Sequence, residues 1–318
     1  MQALVSIIIP TYNRAHLLGE TLDSVIAQTY NKWECIIVDD GSTDYTEVLL
    51  GFYCEKDSRI QFYERELLPK GASHCRNIGL EKAKGNYCIF LDSDDLLLDF
   101  CIETRLKNSR LFPNRDFWVV PMFAENGQKQ LTKCEIPEKS DYLVDFLSGK
   151  LYWQTMCTFW DINFLRSIQG FNDLYPRLND PEIHIRAMLK SQSNYVVFSN
   201  NEPDSKYRLE AEVKEKTEFA LKYYQSLILF IPDITNQLVG FNKKNNVHFL
   251  KEYLKDYTKN IFQYNKRQNN LKLFNIFYKN KILSYYEYLN LILFYYIFLT
   301  LKKVTKKNRR RIDKFLEK

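Results

Sequence analysis

The sequence predicts an α/β protein, a mostly parallel β-sheet flanked by helices and followed by a helical appendage. Three observations carry this. Short β-branched apolar runs alternate with amphipathic segments of roughly a dozen residues, the pattern of right-handed βαβ crossovers. Several of these runs end abruptly in polar or acidic clusters, as strands do where they leave a buried sheet. After Tyr207 the chain becomes rich in Lys, Asn, Tyr, Phe and Leu with almost no Gly, which reads as helices punctuated by Pro232 and Gly240. A chain of 318 residues is long for one core, so the expected division is 1–210 and 211–318.

Composition narrows the class. Apolar residues at 45% and charged residues at 26% describe a globular chain. The net charge of +6 is a property of one end: residues 302–318 hold nine Lys or Arg against two acids, a net of +7 that leaves about −1 elsewhere. A nucleic-acid-binding body, with basic residues lining the folded surface, is therefore not expected. Cys35, Cys54, Cys75, Cys88, Cys101, Cys134 and Cys157 form no Cys-x-x-Cys pair and sit mostly in apolar segments, so buried free thiols in a reducing compartment are expected. The first strand begins at once and leaves no room for a signal peptide, and the expected location is the cytosol.

Val5 to Ile9 is a β-branched strand stopped by Pro10-Thr11-Tyr12-Asn13-Arg14. Asn13 can cap a helix whose Leu17, Leu18, Leu22, Val25 and Ile26 form one apolar face. A buried strand, Cys35 to Val38, runs into Asp39-Asp40-Gly41-Ser42-Thr43-Asp44, and a helix carrying Val48, Leu49, Phe52 and Tyr53 follows. Arg59 to Glu64 alternates as a third strand; a third helix runs from Gly71 to Lys84, begun near Ser73 and closed by Gly85; a fourth strand spans Tyr87 to Leu91. That strand discharges Asp92-Ser93-Asp94-Asp95. With extended backbone through Ser93, Asp92 and Asp94 point to one side and Asp95 to the other. Carboxylates this close repel unless a cation compensates, and an all-oxygen set suits Mg2+ or Mn2+. Capping explains Asp44 without a ligand, and Asp40 suits the turn. No Gly-x-Gly-x-x-Gly follows the first strand and no Gly-x-x-x-x-Gly-Lys-Ser/Thr occurs, so neither a dinucleotide fold nor a P-loop is supported.

The order Pro-Thr-Tyr-Asn-Arg, Asp-Asp-Gly-Ser-Thr-Asp, Gly-x-x-x-x-Arg-Asn-x-Gly and Asp-Ser-Asp-Asp, at 10–14, 39–44, 71–79 and 92–95, resembles the family 2 glycosyltransferases of the GT-A fold, a Rossmann-like sheet. The resemblance covers roughly residues 3 to 200. It implies a nucleotide-sugar donor, a uridine diphosphate sugar above all, a divalent cation, and transfer with inversion to a hydroxyl of a surface-polysaccharide or lipid-linked glycan acceptor. It places Pro10, Thr11, Tyr12, Asn13, Asp39, Gly71, Arg76 and Asp92 at the nucleotide, and Asp94 with Asp92 at the metal. Asn77 accompanies Arg76, which equally suits an ion pair with a turn aspartate; Lys70 is a diphosphate candidate. Asp95 reads as a structural residue of the turn.

Beyond residue 100 the pattern loosens. Phe117 to Pro121 reads as a strand and Phe123 to Pro137 as a polar excursion shaped like a hairpin. Trp153-Gln154-Thr155, followed by Thr158-Phe159-Trp160, resembles the family segment lining the acceptor side, which makes Trp153 and Thr155 acceptor candidates; a Trp filling the core edge fits equally. The family's general base lies in a Glu-Asp pair at a helix start. Asn179-Asp180-Pro181-Glu182 aligns Asp180 with it and replaces the usual Glu by Asn179, with Glu182 as substitute base and His184 one turn on. Asp180 before Pro181 also has the form of a helix N-cap. Tyr288 to Leu301 is uncharged but too short to span a bilayer, and the basic run from Lys302 to Arg311 follows it. Residues 288–318 are therefore expected at the inner face of the cell membrane, with a core helix or a homo-oligomer contact as alternatives. Two other functions compete: a nucleotidyltransferase on a similar sheet, and a non-catalytic nucleotide-sugar-binding scaffold, which Asn179 alone favours.

Overall fold

The computed structural model describes residues 2–66, 68–209 and 216–316, of which 302–316 are described by their backbone alone. The chain divides into two compact units, Met1–Lys214 and Glu215–Lys318.

The first unit begins β1 (Val5–Thr11), α1 (Ala15–Ile26), β2 (Trp33–Asp39), α2 (Thr46–Lys56), β3 (Ile60–Glu64), α3 (Ala72–Lys82), β4 (Tyr87–Phe90), β5 (Leu96–Leu97) and α4 (Cys101–Leu111). It continues through β6 (Phe117–Val119), β7 (Phe123–Glu125), β8 (Leu131–Lys133), α5 (Leu143–Leu147), β9 (Thr158–Asp161), α6 (Ile162–Ser167), α7 (Asn179–Ser191), β10 (Tyr195–Val197) and β11 (Ser205–Arg208). Seven strands form one sheet in the order β10-β6-β9-β4-β1-β2-β3, parallel except for β9, which runs against β4 and β6. A small second sheet has the order β5-β11-β7-β8, and its β7–β8 pair is an antiparallel hairpin.

Every residue of β1 and β2 is buried, as continuous apolar runs in a sheet covered on both faces require. The β-carbon that Gly79 lacks would overlap Ile8, so α3 lies directly on β1 because its contact residue has no side chain. In α2 the buried positions are Thr46, Leu50 and Tyr53, whereas Val48 and Phe52 face outward. A fully buried, two-point ion pair joins Arg105 of α4 to Asp204, with Nε to Oδ2 at 2.7 Å and Nη2 to Oδ1 at 2.6 Å. The remaining Arg105 Nη1 donates to the Met156 carbonyl at 2.7 Å. With its donors satisfied, the pair fixes the start of β11 against the core.

The second unit consists of α8 (Lys216–Gly240), α9 (Lys251–Asp256), α10 (Arg267–Lys279) and α11 (Tyr285–Leu316). Leu227, Phe230, Ile231, Ile234 and Leu238 line its core along α8. Buried Asn270 of α10 accepts from the Tyr257 hydroxyl and donates to the Phe262 carbonyl, and it meets the Tyr295 hydroxyl of α11 at 2.9 Å. The side chains of the basic run from Lys302 lie outside the described residues. Among the described residues, no helix is long and apolar enough to cross a membrane.

Candidate active site

Because β4, β1 and β2 are neighbours and parallel, their polar carboxyl ends meet at one edge of the sheet. Thr11 pairs in register with Asp39, and Leu91 N–H bonds to the Ile8 carbonyl at 3.0 Å, which sets Asp92 beside the end of β1.

The backbone does not stay extended through Ser93. Asp95 N–H bonds to the Asp92 carbonyl at 3.0 Å, closing a turn at Ser93–Asp94, so Asp95 does not point away from its neighbours. The carboxylates of Asp92, Asp94 and Asp95 converge, with oxygens within 4.8 Å of one another. Their side chains differ in access: Asp92 is 44% and Asp94 28% exposed, while Asp95 is buried. Burial, reinforced by the charges of Asp92 and Asp94, holds the Asp95 carboxyl well above the usual range. This donor set, oxygen only and facing solvent on one side, fits a Mg2+ or Mn2+ ion that keeps open positions for a diphosphate.

Three arginines meet the turn. Arg76, on α3, pairs with Asp92 and lies over the Phe171 ring at 4.9 Å. Its side chain is nearly buried, so it serves the ion-pair alternative rather than presenting an open face to a nucleotide. Burial works against its charge, and Asp92 and Asp180 together outweigh that and raise its pKa. Arg14 Nη2 lies 3.7 Å from Asp94 Oδ2. Arg208, at the end of β11, donates its backbone N–H to Asp95 Oδ1 at 3.0 Å and its Nε to the Asp94 carbonyl, and its guanidinium reaches Glu20 and Thr21 of α1. Thr21 Oγ1 donates to the Ser93 carbonyl at 3.0 Å, so α1 and β11 hold the carboxylate turn from two sides.

The first two strand ends separate into ligand candidates and scaffolding. Thr11 Oγ1 is buried without a hydrogen-bond partner, and Tyr12 is exposed. Asp39 accepts from Ser42 N–H at 2.9 Å and from the Ser42 hydroxyl, leaving further acceptor capacity on both oxygens. Asn13 does not cap α1; it takes a left-handed conformation, and its Oδ1 accepts from Thr43 N–H at 2.8 Å, tying the first loop to the second. Asp44 accepts from Ala15 N–H at the start of α1 and from Thr46 at the start of α2. Those hydrogen bonds outweigh the cost of burial and lower its pKa. Asp40 pairs with Arg65 and accepts from Gly71 N–H at 3.0 Å, where Gly71 adopts φ +130° to turn the chain into α3. Exposed Lys70 precedes it. Asn77 exchanges two hydrogen bonds with the Phe171 backbone, at 2.8 and 2.9 Å, and so holds the 171 loop rather than facing a nucleotide.

Asp180 lies in the first turn of α7, whose cap position is Leu178 in a left-handed conformation. Its carboxylate accepts from the buried Thr155 hydroxyl instead of bonding to helix N–H groups, so the N-cap alternative does not hold. The Asp180 carbonyl can only accept, so the 2.7 Å bond to His184 places the proton on His184 Nδ1. Nε2 then accepts from Thr158 at 2.8 Å. Burial lowers the pKa of this neutral imidazole, which packs among Phe146, Trp153 and Trp160 and is structural.

Three candidates are corrected here. Glu182 is buried and paired with Arg186 at 2.6 Å, and Arg186 in turn binds the carbonyls of Ile168 and Gly170, so it is a strut with no access for a hydroxyl proton. Trp153 is 1% exposed and packs on Tyr142, Phe146 and His184, so it belongs to the core and has no ring face open to a sugar. Thr155 is buried too and meets Asp180 rather than an acceptor.

The charges of Asp180 and of the 92–95 turn bear on the same two side chains. Arg76 is held charged by both Asp92 and Asp180. Tyr207 of β11 has its pKa raised by burial and then by the charges of Asp95, Asp94, Asp92 and Asp180. Tyr207 and Arg208 belong to no motif of the sequence; only the pairing of β11 with β5, beside the carboxylate turn, reveals them. A cleft of about 870 Å³ is lined by Leu17, Glu20, Leu97, Glu125, Lys206 and Arg208, among others.

Residues 6–159 match the model of Glycosyl transferase family 2. A relative from Escherichia coli, the UDP-Glc:alpha-D-GlcNAc-diphosphoundecaprenol beta-1,3-glucosyltransferase WfgD, is 37% identical over 144 residues, 44% of this chain and 53% of that one. The chain spans about half or less of the curated relatives it matches. Among solved structures, S. aureus TarS 1-349 in complex with UDP-GlcNAc superposes with a TM-score of 0.67 at 19% identity, over 87% of this chain and 80% of that one. The mannosyltransferase PcManGT from Pyrobaculum calidifontis, in complex with GDP-Man and Mn2+, gives 0.53 at 16% identity, over 81% and 75%. At such identities the superpositions establish the shared fold.

Proposed function

Residues 6–159 make this chain a member of glycosyltransferase family 2, and on that premise we propose that it is an inverting transferase. It moves a hexose or N-acetylhexosamine from a nucleotide sugar, in the first instance a uridine diphosphate sugar, to a hydroxyl of a surface-polysaccharide or lipid-linked glycan. The observations that support the reading are the converging carboxylates of Asp92, Asp94 and Asp95 and a half-buried Asp180 whose charge acts, with theirs, on Arg76 and Tyr207. The names of WfgD and of the TarS complex support a uridine diphosphate donor and a lipid-linked acceptor.

In this reading Asp94 and Asp92 would hold a Mg2+ or Mn2+ ion, which would supply neutralisation of the diphosphate leaving group. Pro10, Thr11, Tyr12, Asn13, Asp39 and Gly71 frame the nucleotide, with the unpartnered Thr11 hydroxyl and the spare acceptors of Asp39 as its direct contacts. Arg76 orients Asp92. Asp180, aimed by Thr155, takes the proton of the acceptor hydroxyl as that oxygen attacks the anomeric carbon from the face opposite the diphosphate. Lipid-linked acceptors put the work at the cytoplasmic face of the membrane.

The test is release of nucleoside diphosphate from a panel of nucleotide sugars, with Mn2+ or with chelator. Slow hydrolysis of one donor by the wild type, abolished by chelator and by Asp94→Ala, is expected. Failure of every nucleotide to bind would refute the assignment of the strand-end clusters.

A further inference from the structure

The C-terminal helix α11 is built the wrong way round for a helix in water. Of its residues 285–301, Tyr295 alone is buried, closed in by Asn270, Phe262 and Phe274. At 100° per residue, the side opposite Tyr295 carries Tyr286, Leu289, Leu293, Ile297 and Leu301, with Phe294 beside them, and all six are exposed. The same side also holds Asn290 and Thr300, and Glu287 lies at its edge beside Phe294. A surface helix ordinarily turns charged residues outward, and a contiguous outward apolar stripe marks an interaction surface. The structure therefore rules out a helix buried on all sides, and the helix is too short in apolar length to span a bilayer.

We propose that this stripe docks on an anionic lipid surface, with α11 lying in the plane of the interface. The argument for lipid over a second copy of the chain is charge. The stripe runs directly into residues 302–318, which carry a net of +7, while the rest of the chain carries about −1 and gives another copy no matching excess of negative charge. A bilayer containing acidic headgroups supplies both halves of what the segment presents, an apolar layer for the stripe and a negative layer for the basic run. Tyr285, Tyr286, Tyr288 and Tyr296 have the amphipathic rings that partition to the headgroup level. The surface belongs to the second unit and needs no part of the carboxylate site, so it stands or falls independently of the transfer reaction.

Co-sedimentation of the full chain with vesicles tests this. Vesicles of phosphatidylglycerol and phosphatidylcholine should carry the protein down, pure phosphatidylcholine should do so weakly, and salt should release it. Leu293→Glu combined with Ile297→Glu should lower the bound fraction at least tenfold on the acidic vesicles, while the unchanged far-ultraviolet spectrum and Tm show that the helix still packs through Tyr295. Replacing Lys302, Lys303, Lys306 and Lys307 by Gln should weaken binding by about fivefold per charge lost, the equivalent of about 1 kcal/mol per basic residue near the surface. No binding to acidic vesicles, or binding indifferent to the Leu293/Ile297 pair, would overturn the proposal. So would a lipid-independent dimer that sediments as a monomer in the double variant, since the stripe would then be a contact between copies.

Discussion

Two acidic segments, Asp92-Ser93-Asp94-Asp95 and Asn179-Asp180-Pro181-Glu182, look alike in composition, and folding treats them in opposite ways. The first is gathered: a turn brings three carboxylates together and leaves two of them facing solvent. The second is split: Asp180 stays accessible under a single hydroxyl donor, and Glu182, two residues on, is buried in an ion pair. What separates them is access. Around 92–95 the arginines leave the carboxylates of Asp92 and Asp94 partly open to solvent, where a cation can reach them, whereas Glu182 is buried in a two-point pair with Arg186. A carboxylate is available for chemistry when its partners leave one side of it open.

The comparison can be broken from either side. The largest effect is expected for Asp94→Ala, which removes an accessible oxygen donor of the gathered cluster. Turnover should fall about a thousandfold or more, the equivalent of several kcal/mol of charge stabilisation, and added Mn2+ should not restore it. Asp180→Asn should cost about 10²- to 10⁴-fold in kcat in a steady-state assay with acceptor, with the donor KM little changed. Glu182→Gln should show the reverse pattern. Leaving Arg186 without its carboxylate should cost about 3 kcal/mol of stability, seen as a lower denaturant midpoint, with kcat retained in the folded fraction. Thr155→Val removes one hydrogen bond to Asp180 and should cost roughly tenfold in kcat with an unshifted KM.

The smallest expected effect is on pH. His184 has a lowered pKa in the folded chain, so the unfolded chain binds a proton that the folded one resists. Its contribution to stability is complete above the ordinary histidine value of about 6.5 and declines as pH falls below it. Thermal midpoints across that window should show this slope in the wild type and a shallower one in His184→Gln.

Much of the first hundred residues was legible because buried parallel strands announce themselves as continuous apolar runs ending in polar clusters, and β1, β2 and β4 do so. The geometry of 92–95 was not, since side-chain alternation presumes an extended backbone and the chain turns at Ser93–Asp94. Nor could periodicity give the face of α2, where Val48 and Phe52 have the spacing of core residues and point to solvent. Neither the strand β9 around Phe159 and Trp160 nor its antiparallel entry into the sheet was read from the sequence. Of the second sheet, the β7–β8 hairpin was legible as a polar excursion, whereas β5 and β11, of two and four residues, are too short to carry a period, and β11 delivers Tyr207 and Arg208 to the site. Thr155 was legible by position and not by role, because its partner Asp180 lies 25 residues further along the chain.

The central claim is a division of labour, with the cation at 92–95 and the proton at 180. Calorimetric titration of uridine diphosphate in Mn2+ into wild type, Asp94→Ala and Asp180→Asn tests it most directly. The account predicts metal-dependent binding of equal strength in wild type and Asp180→Asn, and its loss in Asp94→Ala. Equal loss in both variants would place Asp180 in the metal site, and binding retained by Asp94→Ala would remove the cation from the 92–95 turn; either result would contradict the account.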